Sequence, residues 1–139
     1  MPRTATDRSR SSASGRTAHD PDRVGGLNLA VVIGALSSEP EVRDLGERGR
    51  VASLAVRTPT ADGATSVPVA VWSPPAWLED APAGTRVVLI GPIRRRFYRS
   101  ATGATGSRVE VEATTISRDT ARLRAAMARR AVAALEGSG

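Results

Sequence analysis

NLAVVIGALSSEPEVR, residues 28–43, is the stretch on which the fold turns. Its apolar run, residues 29–33, is too short for an ordinary helix and is rich in β-branched side chains, which reads as a buried strand. Gly34 interrupts the run as a glycine does where a strand bends or a second backbone comes close. Pro40 closes the stretch, and residues 41–49 read as a polar, charged loop.

Working outward, residues 50–58 form a second strand, with Val51, Ala52, Leu54 and Val56 as its apolar bulk. PTADGAT, residues 59–65, is turn chemistry, and its Asp62-Gly63 pair is the strongest hairpin signal in the chain. The third strand, residues 66–73, alternates: Val67, Val69 and Val71 face one way, and Ser66, Pro68, Ala70 and Trp72 the other. Pro68 places this strand at an edge or beside a bulge, because proline has no N–H for a ladder. Residues 74–80 open with prolines suited to a helix start and carry Trp77 and Leu78, which predicts a helix of about two turns. A long fourth strand spans residues 86–99, bent at Gly91-Pro92, and residues 100–107 form a hairpin tip. The fifth strand, residues 108–115, alternates Arg108, Glu110 and Glu112 outward with Val109 and Val111 inward.

The two ends differ from this β-rich middle. Residues 1–26 are Arg/Ser-rich without a hydrophobic period and are expected to be a disordered tail. Asp7, Asp20 and Asp22 dilute its arginines, so a solvated tail is favoured over a nucleic-acid-binding arm. Ser117 as N-cap, Asp119 in the first turn and Gly137 as the stop predict a C-terminal helix over 118–136. Leu123, Met127, Ala131 and Leu135 give it an apolar stripe. Such a stripe fits docking on the chain's own sheet or on a neighbouring subunit, while its arginines leave DNA tracking or a membrane surface as the second reading.

At 139 residues the chain suits one domain with tails and is long enough to bury a core. Cysteine is absent, which excludes a disulfide framework and a thiolate metal site. All 20 basic residues are arginine, and the net charge of +6 favours an anionic partner. No apolar run approaches the ~18 residues of a membrane span, and the N-terminal stretch has no apolar core of a secretory signal, so a cytoplasmic location is expected. Catalysis is not expected, nor a cofactor or metal. The only histidine is His19 in the tail, and the carboxylates form no acid/base pair. GATGSR, residues 103–108, lacks the lysine of a phosphate loop and precedes a strand, so it reads as a hairpin tip.

The pattern V-x-I-G-x-L-x-x-x-P-E-V-R at 31–43, followed by V-A-x-L at 51–54, resembles the start of the bacterial single-stranded DNA-binding proteins. The likeness continues through the strand ending in Trp72, G-x-x-V-V-L-I-G at 84–91, R-x-R-x-Y at 94–98 and the strand 108–116. Five strands with a helix between the third and fourth follow from the residues. The resemblance implies the name and topology: an all-β OB-fold, a five-stranded Greek-key barrel over residues 27–117, with the C-terminal basic helix and short tail over 118–139.

Single-strand binders combine a positive groove with aromatic faces on which bases stack. Period two places Arg94, Arg96 and Tyr98 on one strand face and Ile93, Arg95 and Phe97 on the other. The resemblance implies that the first face contacts single-stranded DNA, with Tyr98 as a stacking aromatic. Trp72 matches a second one, with a core position as its equal alternative. Electrostatic capture is expected from Arg57, Arg94, Arg96 and Arg99, with Arg50 as a further candidate, while Phe97 is read as packing. The chain departs from the family at Ser66, where a tryptophan is common, at Pro68, where a basic residue is common, and near residues 60–62, where an aromatic is expected. Weaker, more salt-sensitive binding than in a typical member is therefore expected, with arginine carrying more of the contact. The resemblance also implies a homo-oligomer, a tetramer or dimer, acting in DNA replication, repair or recombination and associated with the nucleoid. In place of the family's acidic tail stands a basic helix followed by EGSG, so recruitment of repair enzymes is not expected and a specialised paralogue is. An OB-fold oligomerisation or protein-interaction module with little DNA affinity is the alternative, and an RNA-binding role is a third.

Overall fold

The computed structural model describes residues 24–138; residues 1–23 and Gly139 lie outside it, and with them most of the expected tail and His19. Eight strands form one sheet: β1 (Ala30–Leu36), β2 (Glu41–Asp44), β3 (Arg50–Thr60), β4 (Gly63–Trp72), β5 (Arg86–Gly91), β6 (Ile93–Arg99), β7 (Thr105–Glu112) and β8 (Thr115–Arg118). Helix α1 (Ala76–Glu79) lies between β4 and β5, and helix α2 (Ala121–Gly137) follows β8. The hydrogen-bonded order is β6-β7-β4-β3-β1-β5-β8, with β2 added on β3. All pairings are antiparallel except that of β4 with β7.

The strand count of eight corrects the expected five, for three local reasons. Pro92 splits the long fourth run, so that β5 pairs β1 while β6 pairs β7. Residues 41–49 are not simply a loop: Val42 lies opposite Ala52, and residues 41–44 pair along β3 before one 3-10 turn, Gly46–Arg48. The fifth run also breaks. The backbone N–H and hydroxyl of Thr114 both donate to the Ile90 carbonyl, at 2.9 and 3.0 Å, and draw the chain from β7 to β5, where it continues as β8.

Two glycines allow strands to cross closely. A Cβ on Gly34 would collide with the Arg57 carbonyl, and one on Gly91 with the Glu112 carbonyl. Gly34 thus marks a close approach of backbones, one of the two roles its position in the sequence suggested. Pro68 pairs on one side only, opposite Ala55; the ladder from β4 to β7 begins at the next residue, Val69. The hairpin at residues 60–63 forms, with Ala61 and Asp62 as its two turn residues and Gly63 at φ 145° opening β4. At the start of β6, the Asn28 side chain acts as a surrogate peptide. It donates to the Ile93 carbonyl at 2.7 Å and accepts from the Ile93 N–H at 2.8 Å.

The principal core lies inside the curled sheet, where Leu36, Val56, Val69, Val87 and Leu89 surround Leu78. Leu78 is fully buried, although α1 is a single turn of four residues instead of the two turns expected. A second layer sits on the outer side of β1 and β5. There Met127 of α2 packs on Val88 and Ile90, flanked by Leu123 and Ala131. The helix therefore docks on its own sheet. Its stripe ends early, since Leu135 is exposed. Its start also differs from the sequence reading: Ser117 belongs to β8, and Thr120 caps the helix by accepting from the Leu123 N–H at 3.2 Å. Asp119 precedes the helix and accepts from Arg124 at 2.6 and 2.7 Å. No helix among the described residues is long and apolar enough to cross a membrane.

Gly91→Ala is expected to destabilise the fold by about 3 kcal/mol, the upper end of the range for overpacking, because the obstructing atom is backbone; urea unfolding measures it. The hydrogen bond from Arg124 holds the Asp119 carboxyl below its ordinary range. A depressed carboxyl stabilises the fold above its unfolded-state pKa and loses that contribution as the pH falls through its folded-state value. The stability gap between the native chain and Asp119→Asn should therefore be full at neutral pH and close in acid, in a series of urea midpoints from about pH 7 down to about pH 2.

Candidate nucleic-acid interface

The β6–β7 hairpin presents the residues singled out from the sequence. Its register sets Arg94 opposite Glu110, Arg96 opposite Arg108 and Tyr98 opposite Gly106. Pairs of this kind share one face of a ribbon, and diagonal neighbours are within reach of long side chains. Both diagonals are used. Arg94 donates to Glu112 at 3.1 Å, and Arg96 donates through Nε to Glu110 at 2.8 Å. Glu112 also accepts from the Trp72 indole N–H at 3.0 Å, which ties β4 to the ribbon.

Tyr98 lies against the backbone of Gly106, where an added Cβ would come within 2.6 Å of the ring. The glycine seats the ring on the strand, and half of the residue remains exposed. Tyr98, Arg96, Arg108 and Arg43 of β2 surround an open cleft of about 400 Å³. A neighbouring hollow of about 240 Å³ is lined by Arg48, Trp72, Arg94, Arg95 and Arg96 together with Glu110 and Glu112. Around these two hollows, the guanidiniums of Arg43, Arg48, Arg94, Arg96 and Arg108 outnumber the two carboxylates, so the face is net positive.

The alternation expected for β7 is corrected here. Glu110, expected to face solvent, is only 5% exposed, because Arg96 and Arg108 close over it. Val109, expected to face inward, is exposed, because this part of the ribbon belongs to neither buried cluster among the described residues. Phe97, read as packing, is 70% exposed for the same reason. Trp72 is half-buried, neither a core residue nor an open platform.

The expected capture residues do not all meet. Arg94, Arg96, Tyr98 and Trp72 come together. Arg99 falls by alternation on the opposite ribbon face and lines a hollow with Phe97, Tyr98 and Thr105. Arg57 is exposed on β3, opposite Ser66, and lines neither arginine-rich hollow. Arg50 is held by Glu79 at 2.6 Å and faces Asp44 at 3.8 Å, so its charge is already matched. Sequence reasoning missed Arg43 and Arg48. They occupy a segment taken for loop, and only the pairing of β2 with β3 carries them to this face. A larger hollow of about 620 Å³ adjoins Arg108 and is bordered by Glu39, Glu41, Ser66 and Pro68, with no aromatic side chain. It contains Ser66 and Pro68, two of the three places where the chain differs from the pattern it resembles. Among the described residues no group of three His, Cys, Asp or Glu side chains is placed to hold a metal ion.

Comparison with protein-family models finds none that matches the chain, and comparison with curated proteins finds no match either.

Among the described residues Glu110 has Arg96 as its nearest cation, with Arg108 at 3.8 Å as the only other. Arg96→Ala is therefore expected to lower stability by about 1–3 kcal/mol, the cost of leaving a nearly buried acceptor short of its partner, with Arg96→Lys recovering part of it in urea unfolding.

Proposed function

We propose that this protein binds single-stranded DNA without strong sequence preference and has no catalytic activity of its own. Its place would be DNA replication, repair or recombination, in the cytoplasm and at the nucleoid, and as a homo-oligomer. One observation carries the reading: a half-open tyrosine ring seated at the mouth of a cleft whose other walls are Arg43, Arg96 and Arg108. The flat ring offers a base its face at about 1–3 kcal/mol per stack, and the guanidiniums pair with phosphate whatever the sequence.

The strand succession supports an OB-fold scaffold. If β5 and β6 are taken as one strand bent at Pro92, and the four-residue β2 and β8 are set aside, five strands remain with α1 between the third and fourth. The ring then closes covalently, since β6 leads one end of the hydrogen-bonded order and continues directly from β5 near the other. This barrel topology commonly carries oligonucleotide sites on the corresponding face.

Glu110 and Glu112 favour the second reading, an interaction module with little DNA affinity, because each already holds an arginine of the face. Titration with oligo(dT) in a Trp77→Phe background separates the two, since Trp72 is then the only tryptophan and lines the proposed site. Quenching of Trp72 that weakens with salt, by about 0.7 log units per phosphate contact and decade of salt, is the expected result. Tyr98→Phe should bind like the native chain and Tyr98→Leu about 5- to 150-fold more weakly, corresponding to one lost stack. No binding at low salt overturns the reading in favour of the interaction module.

A further inference from the structure

The β6–β7 ribbon has a second face, joined to the site above at Arg95, which also borders the hollow beside Trp72. Along β6 it carries Ile93, Arg95, Phe97 and Arg99, and along β7 Thr105, Ser107 and Val109. No carboxylate belongs to this set. Arg95 donates to the Ser107 hydroxyl at 3.1 Å, and among the described residues neither Arg95 nor Arg99 has a carboxylate within salt-bridge distance. The contrast with the front is direct: Arg94 and Arg96 are each held by a glutamate, whereas the cations behind them are not. Between Arg95 and Arg99 stands Phe97, the most exposed of the four aromatic residues.

The two faces are continuous. Tyr98 lines the front cleft with Arg96 and Arg108, and it also lines the end hollow of about 250 Å³ with Phe97 and Arg99. Among the described residues strand β6 pairs only with β7, and its outer edge meets no other described strand beyond the Asn28 clip at Ile93. A chain lying on Tyr98 thus has an open path over that edge to Phe97.

We propose that the reverse face of the ribbon is a second subsite for the same single strand. The strand passes over the edge of β6 at Tyr98, a base stacks on Phe97, and Arg95 and Arg99 hold the flanking phosphates. This rests on the reading of the front face as a single-strand site and extends it. Charge selects the occupant. A second copy of the chain brought face to face would set Arg95 and Arg99 against their own kind, whereas a polyanion carrying flat rings satisfies both the cations and the phenyl face. An acidic protein segment is the competing occupant, and the experiment below distinguishes it.

The test is a series of oligo(dT) lengths from about 4 to about 16 nucleotides, the span one such domain covers. Phe97→Ala should match the native chain on the shortest oligonucleotide that binds and fall about 5- to 150-fold behind on the longest. Phe97→Trp should restore the long-oligonucleotide affinity and Phe97→Leu should not, since leucine is apolar without a stacking face. The variant Arg99→Ala should reduce the slope of log K against log salt on long oligonucleotides alone, by roughly 0.7 for one phosphate. If the native chain binds and these variants equal it at every length, the subsite is overturned while the front-face reading stands; an acidic protein partner gives this result. A loss by Phe97→Ala as large on the shortest oligonucleotide as on the longest, or full rescue by leucine, also overturns it. If the native chain binds at no length, both readings fall.

Discussion

Everything in this fold passes through the junction of β5 and β6. One continuous run of backbone must pair with β1 on one side of the molecule and with β7 on the other, and residues 91 and 92 make the transfer possible. Gly91 has no Cβ to obstruct the Glu112 carbonyl, and Pro92 has no N–H to leave unpaired where the ladder changes partner. The surrounding hydrogen bonds converge on the same place: Glu112 donates to the Pro92 carbonyl, Ala113 to that of Ala70 and Thr114 to that of Ile90. The core and the ribbon are thus joined at a site without slack. This positions the ribbon rigidly beside Trp72 of β4, although most of it projects past the core.

That projection governs the electrostatics. A hairpin with one face on a core alternates apolar and polar residues, and the sequence of β7 has that alternation. From Val109 to the hairpin tip, however, neither buried cluster of the described residues extends under the ribbon. The front responds by assembling its own interior from charge. Glu110 and Glu112 lie beneath guanidiniums, and Glu112 reaches the Trp72 indole as well. Such pairs orient arginine side chains that otherwise have considerable rotamer freedom, and they occupy N–H groups that a phosphate of the proposed strand would need. In that proposal, preorganisation and competition come from the same two residues.

The division between what could and could not be read in the residues follows the range of the interactions. The strands β1, β3 and β4, the hairpin between β3 and β4 and the bend at Gly91-Pro92 are signalled by local periodicity and turn chemistry; the hairpin turns at Ala61-Asp62, and β3 and β4 run further into the expected turn than residues 58 and 66. The grouping of Arg94, Arg96 and Tyr98 is signalled as well, since it needs only period two. Strand β2 was illegible because four residues with one half-buried valine become a strand only when β3 offers its edge. Strand β8 exists because β5 has a free side, and it takes Ser117 from the helix, leaving the cap to Thr120. The burial of Glu110 and the exposure of Phe97 depend on where the ribbon leaves the core, which no window of sequence contains. Arg43 and Arg48 reach the site through a pairing in which their own segment contributes almost no hydrophobic signal.

The Asn28 side chain bears on what the outer edge of the ribbon can recruit. In an antiparallel strand every second peptide group points outward from the edge, and on β6 these belong to residues 93, 95, 97 and 99. An edge of that length is a template for recruiting further chains into a fibril. Asn28 occupies the first of these groups with both halves of its amide, so a foreign strand finds its starting rung already taken. Of the next three rungs, those of Arg95 and Arg99 flank that of Phe97, and their repeated positive charges would stack on one another in any in-register growth. Protection against aggregation is thus divided between a counterfeit peptide at the base of the ribbon and mutual repulsion along its length.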